Sequence, residues 1–149
     1  MATRRRTPPA KRPKDEGPFF DLGAALGASG ASSEQLLQVY IPNKDKHGRE
    51  FRTQRRWVLE AADLLARVGG GVTILPPAEG GWLNEAEGKI VWEAPVVVYT
   101  YIKGERFLES LPKLRHLLHR MGRETNQGEV VVEFDGVFFR ITEPFDPKS

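Results

Sequence analysis

The chain has 149 residues, 40% of them hydrophobic and 28% charged, which is room for one globular domain and a tail. No apolar run reaches the ~18–20 residues that a membrane helix needs, and the absence of cysteine excludes a disulfide scaffold, a thiolate metal site and a cysteine nucleophile. The net charge of +2 hides an asymmetry: residues 1–14 carry Arg4, Arg5, Arg6, Lys11, Arg12 and Lys14 with no acid, so the rest of the chain holds 16 basic side chains against 20 acidic ones.

Residues 1–18 mix Arg, Lys and Pro with almost no apolar side chain. They cannot bury enough surface to offset chain entropy, so they are predicted to be disordered. A basic arm on a mildly acidic body can touch nucleic acid or an acidic partner, or simply solubilise a terminus. Phe19–Ser33 (FFDLGAALGASGASS) imitates the apolar region of a secretory signal. Asp21 interrupts it, and Gly23, Gly27 and Gly30 weaken a helix, so it reads as a linker with at most one short helical turn. The expected division is a basic tail and linker over 1–33 and a folded domain over 34–145, in a cytoplasmic protein given the lack of cysteine.

Leu36–Ile41 (LLQVYI) is rich in strand formers and stops at Pro42, giving strand one. From Gln54 to Val68, Trp57, Ala61, Leu64, Leu65 and Val68 recur at helical spacing, and Gly69 supplies a stop. Val72–Leu75 reads as strand two, broken by Pro76-Pro77 and Gly80-Gly81, with Trp82-Leu83 resuming it beyond a bulge. Ile90–Ile102 reads as one long strand three, Pro95 marking an edge position. Ser110 is the expected N-cap of a second helix with Pro112 in its first turn. Leu111, Leu114, Leu117, Leu118 and Met121 form one side of that helix; Lys113, His116, Arg120 and Arg123 form a basic side.

Glu129–Phe134 and Val137–Thr142 flank Asp135-Gly136, the strongest short hairpin signal in the chain. A two-residue turn pairs Phe134 with Val137, Val132 with Phe139 and Val130 with Ile141, an apolar face assigned to the core. The order β-α-β-β-α-β with one extra closing strand is the ferredoxin-like split βαβ pattern. It is an α+β fold with a mostly antiparallel sheet, two helices on one face and a C-terminal hairpin.

Chemical signals are sparse. The Gly69-Gly70-Gly71 run follows a helix and enters a strand, the wrong polarity for a phosphate loop. His116 and His119 share a helix face among Lys113, Arg115, Arg120 and Arg123, which disfavours a metal, and no metal or other cofactor is expected. Glu85 with Glu87 sits in a turn. Glu129 with Glu133 lies on an outward strand face near Arg140, where cross-strand pairing accounts for it. No nucleophile–base–orienter set can be assembled, so no catalytic residue is named.

Strand one contains Val39-Tyr40-Ile41-Pro42-Asn43, which resembles the shorter signature of the RNA recognition motif, a family in which an aromatic on that strand stacks a base. With Tyr99 and Tyr101 on a common face of strand three, the resemblance implies a three-ring platform. From Leu36 onward the chain also resembles small bacterial proteins of ferredoxin-like type with no assigned activity. The residues that carry this are VYIPN, GGVTILPP and GGW, WEAPVVVYTYI, and LPKLR with RETNQGEVVVEFDG. That resemblance implies a strand, a Trp-bearing hairpin, a helix entered at Leu-Pro and a closing strand after Gln127.

The leading expectation is a non-catalytic protein-interaction module, with another protein or a second copy as partner and a dimer through the exposed sheet face. The first alternative is a single-stranded nucleic-acid-binding accessory protein. Tyr40, Tyr99 and Tyr101 would stack bases, and the arm with Lys113, His116, Arg120 and Arg123 would meet phosphates. The second alternative is a small enzyme of the dimeric α+β barrel type.

Overall fold

The computed structural model describes residues 20–149, which divide into a unit ending at Ser32 and a unit spanning Ser33–Ser149. The predicted disordered tail, with Arg4, Arg5, Arg6, Lys11, Arg12 and Lys14, lies outside the described residues. In the first unit a single helical segment, α1 (Leu22–Leu26), starts where the Asp21 carboxylate accepts the Ala24 N–H at 3.0 Å. It stops at Gly27, and none of its side chains is buried.

The second unit runs β1 (Gln35–Ile41), α2 (Gln54–Gly69), β2 (Thr73–Ile74), β3 (Gly80–Asn84), β4 (Lys89–Glu93), β5 (Val96–Ile102), α3 (Gly104–Glu124), β6 (Glu129–Phe134) and β7 (Val137–Thr142). Five strands form one sheet in the order β2-β5-β1-β6-β7, and β3 and β4 form a separate two-stranded sheet. Every ladder is antiparallel. The described residues thus form a mixed α+β structure, with a mostly antiparallel sheet and three helices.

Period-two alternation divides the residues of the large sheet between its faces. Leu37, Val39 and Ile41 of β1, Val98 and Ile102 of β5, and Val130 and Val132 of β6 are buried with Trp57, Val58, Ala61 and Leu65 of α2 and Leu114, Leu117, Leu118 and Met121 of α3. Full burial of each such side chain contributes on the order of 1.5–3 kcal/mol of transfer free energy. Phe145, at the predicted domain end, joins this cluster; its ring fills the notch left by Gly122, where a Cβ would come within 2.5 Å of it.

Four readings from the sequence need correction. Ile90–Ile102 is two strands in different sheets, because Ala94-Pro95 leaves the ladder: the Ala94 N–H donates to Asn43 Oδ1 at 2.8 Å and its carbonyl accepts from Gln54 Nε2 at 2.9 Å. Trp82-Leu83 does not resume β2 but pairs with Val91 and Ile90 in that separate hairpin. The second helix starts at Gly104 rather than after Ser110, so Pro112 lies inside it, on its exposed side. The carbonyl of Leu108 loses its helical donor there, and Ser110, instead of capping, is buried and donates to the Phe107 carbonyl at 2.8 Å. Finally, Gly70 rather than Gly69 is the left-handed cap of α2, with φ +86°.

The C-terminal hairpin has the expected register, Phe134 opposite Val137, Val132 opposite Phe139 and Val130 opposite Ile141. Asp135 (φ +51°) and Gly136 (φ +78°) both sit at positive φ, as a type I′ turn requires. Its assigned core face is only partly buried: Val137 and Phe139 are about half exposed, because β7 is the edge strand.

Candidate functional site

The face of the sheet opposite the core carries Leu36, Gln38 and Tyr40 of β1 beside Tyr101, Tyr99 and Val97 of β5, and Glu133 of β6. The three tyrosines therefore share one face, but they do not form one platform. Gln38, opposite Tyr99, stands between them in the register. Tyr99 and Tyr101 meet edge to face at 6.2 Å, and Tyr40 meets Phe138 of β7 edge to face at 6.3 Å. The Tyr40 hydroxyl donates to Glu133 Oε2 at 3.1 Å, which Gln38 Nε2 also reaches at 3.2 Å. Burial, then this hydrogen bond and the charge of Glu133, raise the Tyr40 pKa above the ordinary phenol value.

The basic side of α3 is divided as well. Arg120 pairs with Glu60 and lies over the Trp57 ring, 5.1 Å from its centroid. Arg123 donates to the carbonyls of Asp146 and Ser149. Only Lys113 and His116 point to solvent without such a contact. His119 accepts the Asp146 N–H on Nδ1 at 2.8 Å, and burial and the nearby Arg115 lower its pKa. No group of three or more metal-ligating side chains occurs among the described residues.

The sheet's open face instead contributes to a cleft. The loop after β1 turns toward the β3–β4 hairpin, and residues of β1, β3, β4, β6 and β7 with their connecting segments line a cavity of about 610 Å³. Tyr40, Trp82 and Phe138 supply rings to its wall; Glu79, Glu93 and Glu129 supply carboxylates. Its cations are engaged: Lys44 Nζ donates to the Trp92 carbonyl at 2.8 Å, and Lys46 pairs with Glu143 at 2.9 Å. Glu129 pairs with Arg140, and the Asp45 carboxylate is turned back on its own loop, accepting from the N–H groups of His47 and Arg49, which lower its pKa. Glu79 and Glu93 have no side-chain hydrogen bond or ion pair among the described residues, and Lys44, whose own hydrogen bond goes to a neutral carbonyl, offsets only part of their charge. Burial raises the pKa of Glu93, against a smaller opposing effect of Lys44.

Trp82, Glu79 and Glu93 were not candidates from the sequence. A long strand three hides Glu93 within a ladder; the signal that frees it is the Ala-Pro step immediately after it.

No family model matches the chain, and no curated protein matches it. Among solved structures it is similar to a phage SAM lyase in complex with S-methyl-5'-thioadenosine, at 15% identity and a TM-score of 0.56, over 78% of this chain and 95% of that one. It is likewise similar to phage SAM lyase in the apo state, at 16% identity and a TM-score of 0.53, over 79% of this chain and 97% of that one. A divalent cation tolerance protein (Cut A1) from Thermus thermophilus aligns at 14% identity with a TM-score of 0.40, over 74% of this chain and 85% of that one. At these identities the lyase likeness establishes a shared fold. It overturns the expectation of a non-catalytic interaction module, since the fold is one that an enzyme uses. Among the described residues no helix is long and apolar enough to cross a membrane.

Proposed function

We propose that this protein is a small-molecule enzyme of the lyase-like fold, working in the cleft between the sheet's open face and the β3–β4 hairpin on a sulfonium nucleoside such as S-adenosylmethionine. The order β2-β5-β1-β6, with β1 between β5 and β6, supports reading the body as a ferredoxin-like split βαβ unit closed by β7. The observation that carries the function is the chemistry of the cleft wall: three rings and two unpaired carboxylates face one cavity of about 610 Å³. Rings bind a flat purine by stacking and sulfonium-type cations by their negative π faces. Unpaired carboxylates in a partly dry site favour a cation over its neutral counterpart.

Breaking a carbon–sulfur bond of a sulfonium releases a neutral thioether, so the positive charge that Glu79 and Glu93 hold in the bound substrate disappears as the product forms. Binding then weakens at the carboxylates and persists at the rings. Glu93, half-buried, is the group placed to take a proton from the carbon adjacent to the breaking C–S bond, so that the C–H electron pair forms a carbon–carbon double bond as sulfur leaves with the C–S pair; burial raises its pKa, which makes it a stronger base.

The test is paired calorimetric titration with S-adenosylmethionine and S-methyl-5'-thioadenosine, with product detection by mass spectrometry. Glu93→Gln is expected to weaken the sulfonium far more than the thioether and to abolish turnover. Tyr40→Phe keeps the ring and is expected to retain binding of both. Failure of the native chain to bind either compound would refute the reading.

A further inference from the structure

We propose that two copies of this chain pair through β7, antiparallel and centred on Phe139, to make one continuous sheet. The two edges of the large sheet differ. β2 has only two residues and is followed by Pro76-Pro77, which blocks addition of a strand. β7 has six residues, VFFRIT, with no proline, no glycine, no lysine and one charge. Among the described residues it pairs only with β6, and Val137, Phe138 and Phe139 are each about half exposed. Long, apolar, unguarded edges of this kind are sites of strand pairing.

The backbone sets which residues do the pairing. In a two-residue hairpin Phe134 and Val137 exchange hydrogen bonds, so the alternation along the ladder turns Val137, Phe139 and Ile141 toward β6. The N–H and C=O groups of Phe138, Arg140 and Thr142 therefore point outward, an unpaired row that a second strand can take up in register. A two-fold axis through Phe139 places Phe138 opposite the Arg140 of a second copy and exchanges their hydrogen bonds twice.

The side chains fit the same register. On the helix side Val137 meets Ile141 and Phe139 meets Phe139, apolar against apolar. On the other side each Phe138 ring, already edge to face with Tyr40, comes beside the Arg140 of the second copy, whose guanidinium is held in place by Glu129 of its own chain. The pairing also covers an apolar trough of about 570 Å³ between α3 and β7, lined by Phe107, Leu111, Leu118, Phe134 and Phe139. The self-complementary pattern selects a second copy as the occupant over an unrelated strand.

The chain's lack of cysteine makes the register directly testable. Phe139→Cys places two thiols opposite each other in a non-hydrogen-bonded pair, the close type in an antiparallel ladder. Mild oxidation is expected to cross-link it fully, while Arg67→Cys, on exposed α2, stays largely uncross-linked. By sedimentation the native chain is expected to weigh two copies of 16.7 kDa, and Phe139→Glu, which sets two carboxylates face to face, is expected to halve that mass. Circular dichroism confirms that Phe139→Glu is folded; if it is not, the cysteine pair decides. A native chain of single mass, an assembly indifferent to Phe139→Glu in its folded form, or equal cross-linking of the two cysteine variants would overturn the proposal.

Discussion

The two hairpins of the body are built on different principles. The β6–β7 hairpin turns on Asp135-Gly136 and lays Val130 and Val132 into the core. The β3–β4 hairpin has a longer turn, no buried residue, and Trp82, Leu83, Ile90 and Trp92 well exposed. What positions it is a set of side-chain bonds to its base: Asn43 Oδ1 accepts the Ala94 N–H, Lys44 reaches the Trp92 carbonyl, and Gln54 spans the carbonyls of Ile41 and Ala94. Close approach helps too, since a Cβ on Gly81 would lie 2.8 Å from Ile90 Cγ2. One hairpin is thus part of the stability of the fold, and the other is a wall that the fold holds over a cleft.

That contrast is broken most directly by removing one ring from each. Phe134 stacks on Phe107 with centroids 3.8 Å apart, and Phe134→Ala is expected to cost about 2–4 kcal/mol in a urea melt. Trp92→Ala, from a ring 61% exposed, is expected to cost less than about 1 kcal/mol. Equal losses would show the two hairpins to be energetically equivalent.

The turn comes next. Gly136→Val forces a β-branched side chain to positive φ and is expected to destabilise by about 1–3 kcal/mol. Asn43→Ala strands the Ala94 N–H and should cost about 1 kcal/mol globally. Hydrogen exchange is expected to speed up across 80–93 and not across 129–142, and nucleoside affinity to fall.

The smallest effect sharpens the comparison electrostatically. Burial raises the folded-state pKa of Glu93, so the folded protein binds that proton more tightly than the unfolded chain does. The carboxyl therefore favours folding below its ordinary 4.5, and that contribution is lost as pH rises through the elevated value. Glu93→Gln is expected to raise the melting temperature slightly at neutral pH, with the gain vanishing below pH 4.5; a gain that persists in acid would mean the charge is not its source.

Local chemistry determined much of this architecture from the sequence alone. The α2 stripe, the 134–137 turn and its full register, and the common face of Tyr99 and Tyr101 follow from periodicities of 3.6 and 2 and from the positive φ that Asp-Gly tolerates, whereas Tyr40 joins that face only through the β1–β5 pairing. The tertiary structure decided what depends on distant partners. Asn43 and Gln54 turn Ala94-Pro95 into a break between sheets, so Glu93 faces a cleft. The helix extends back to Gly104, and in that extension Phe107 stacks on Phe134, which lies far along the chain. Sequence spacing encodes which side of an element is apolar; it does not encode which remote side chain satisfies a given N–H, and that choice made the site.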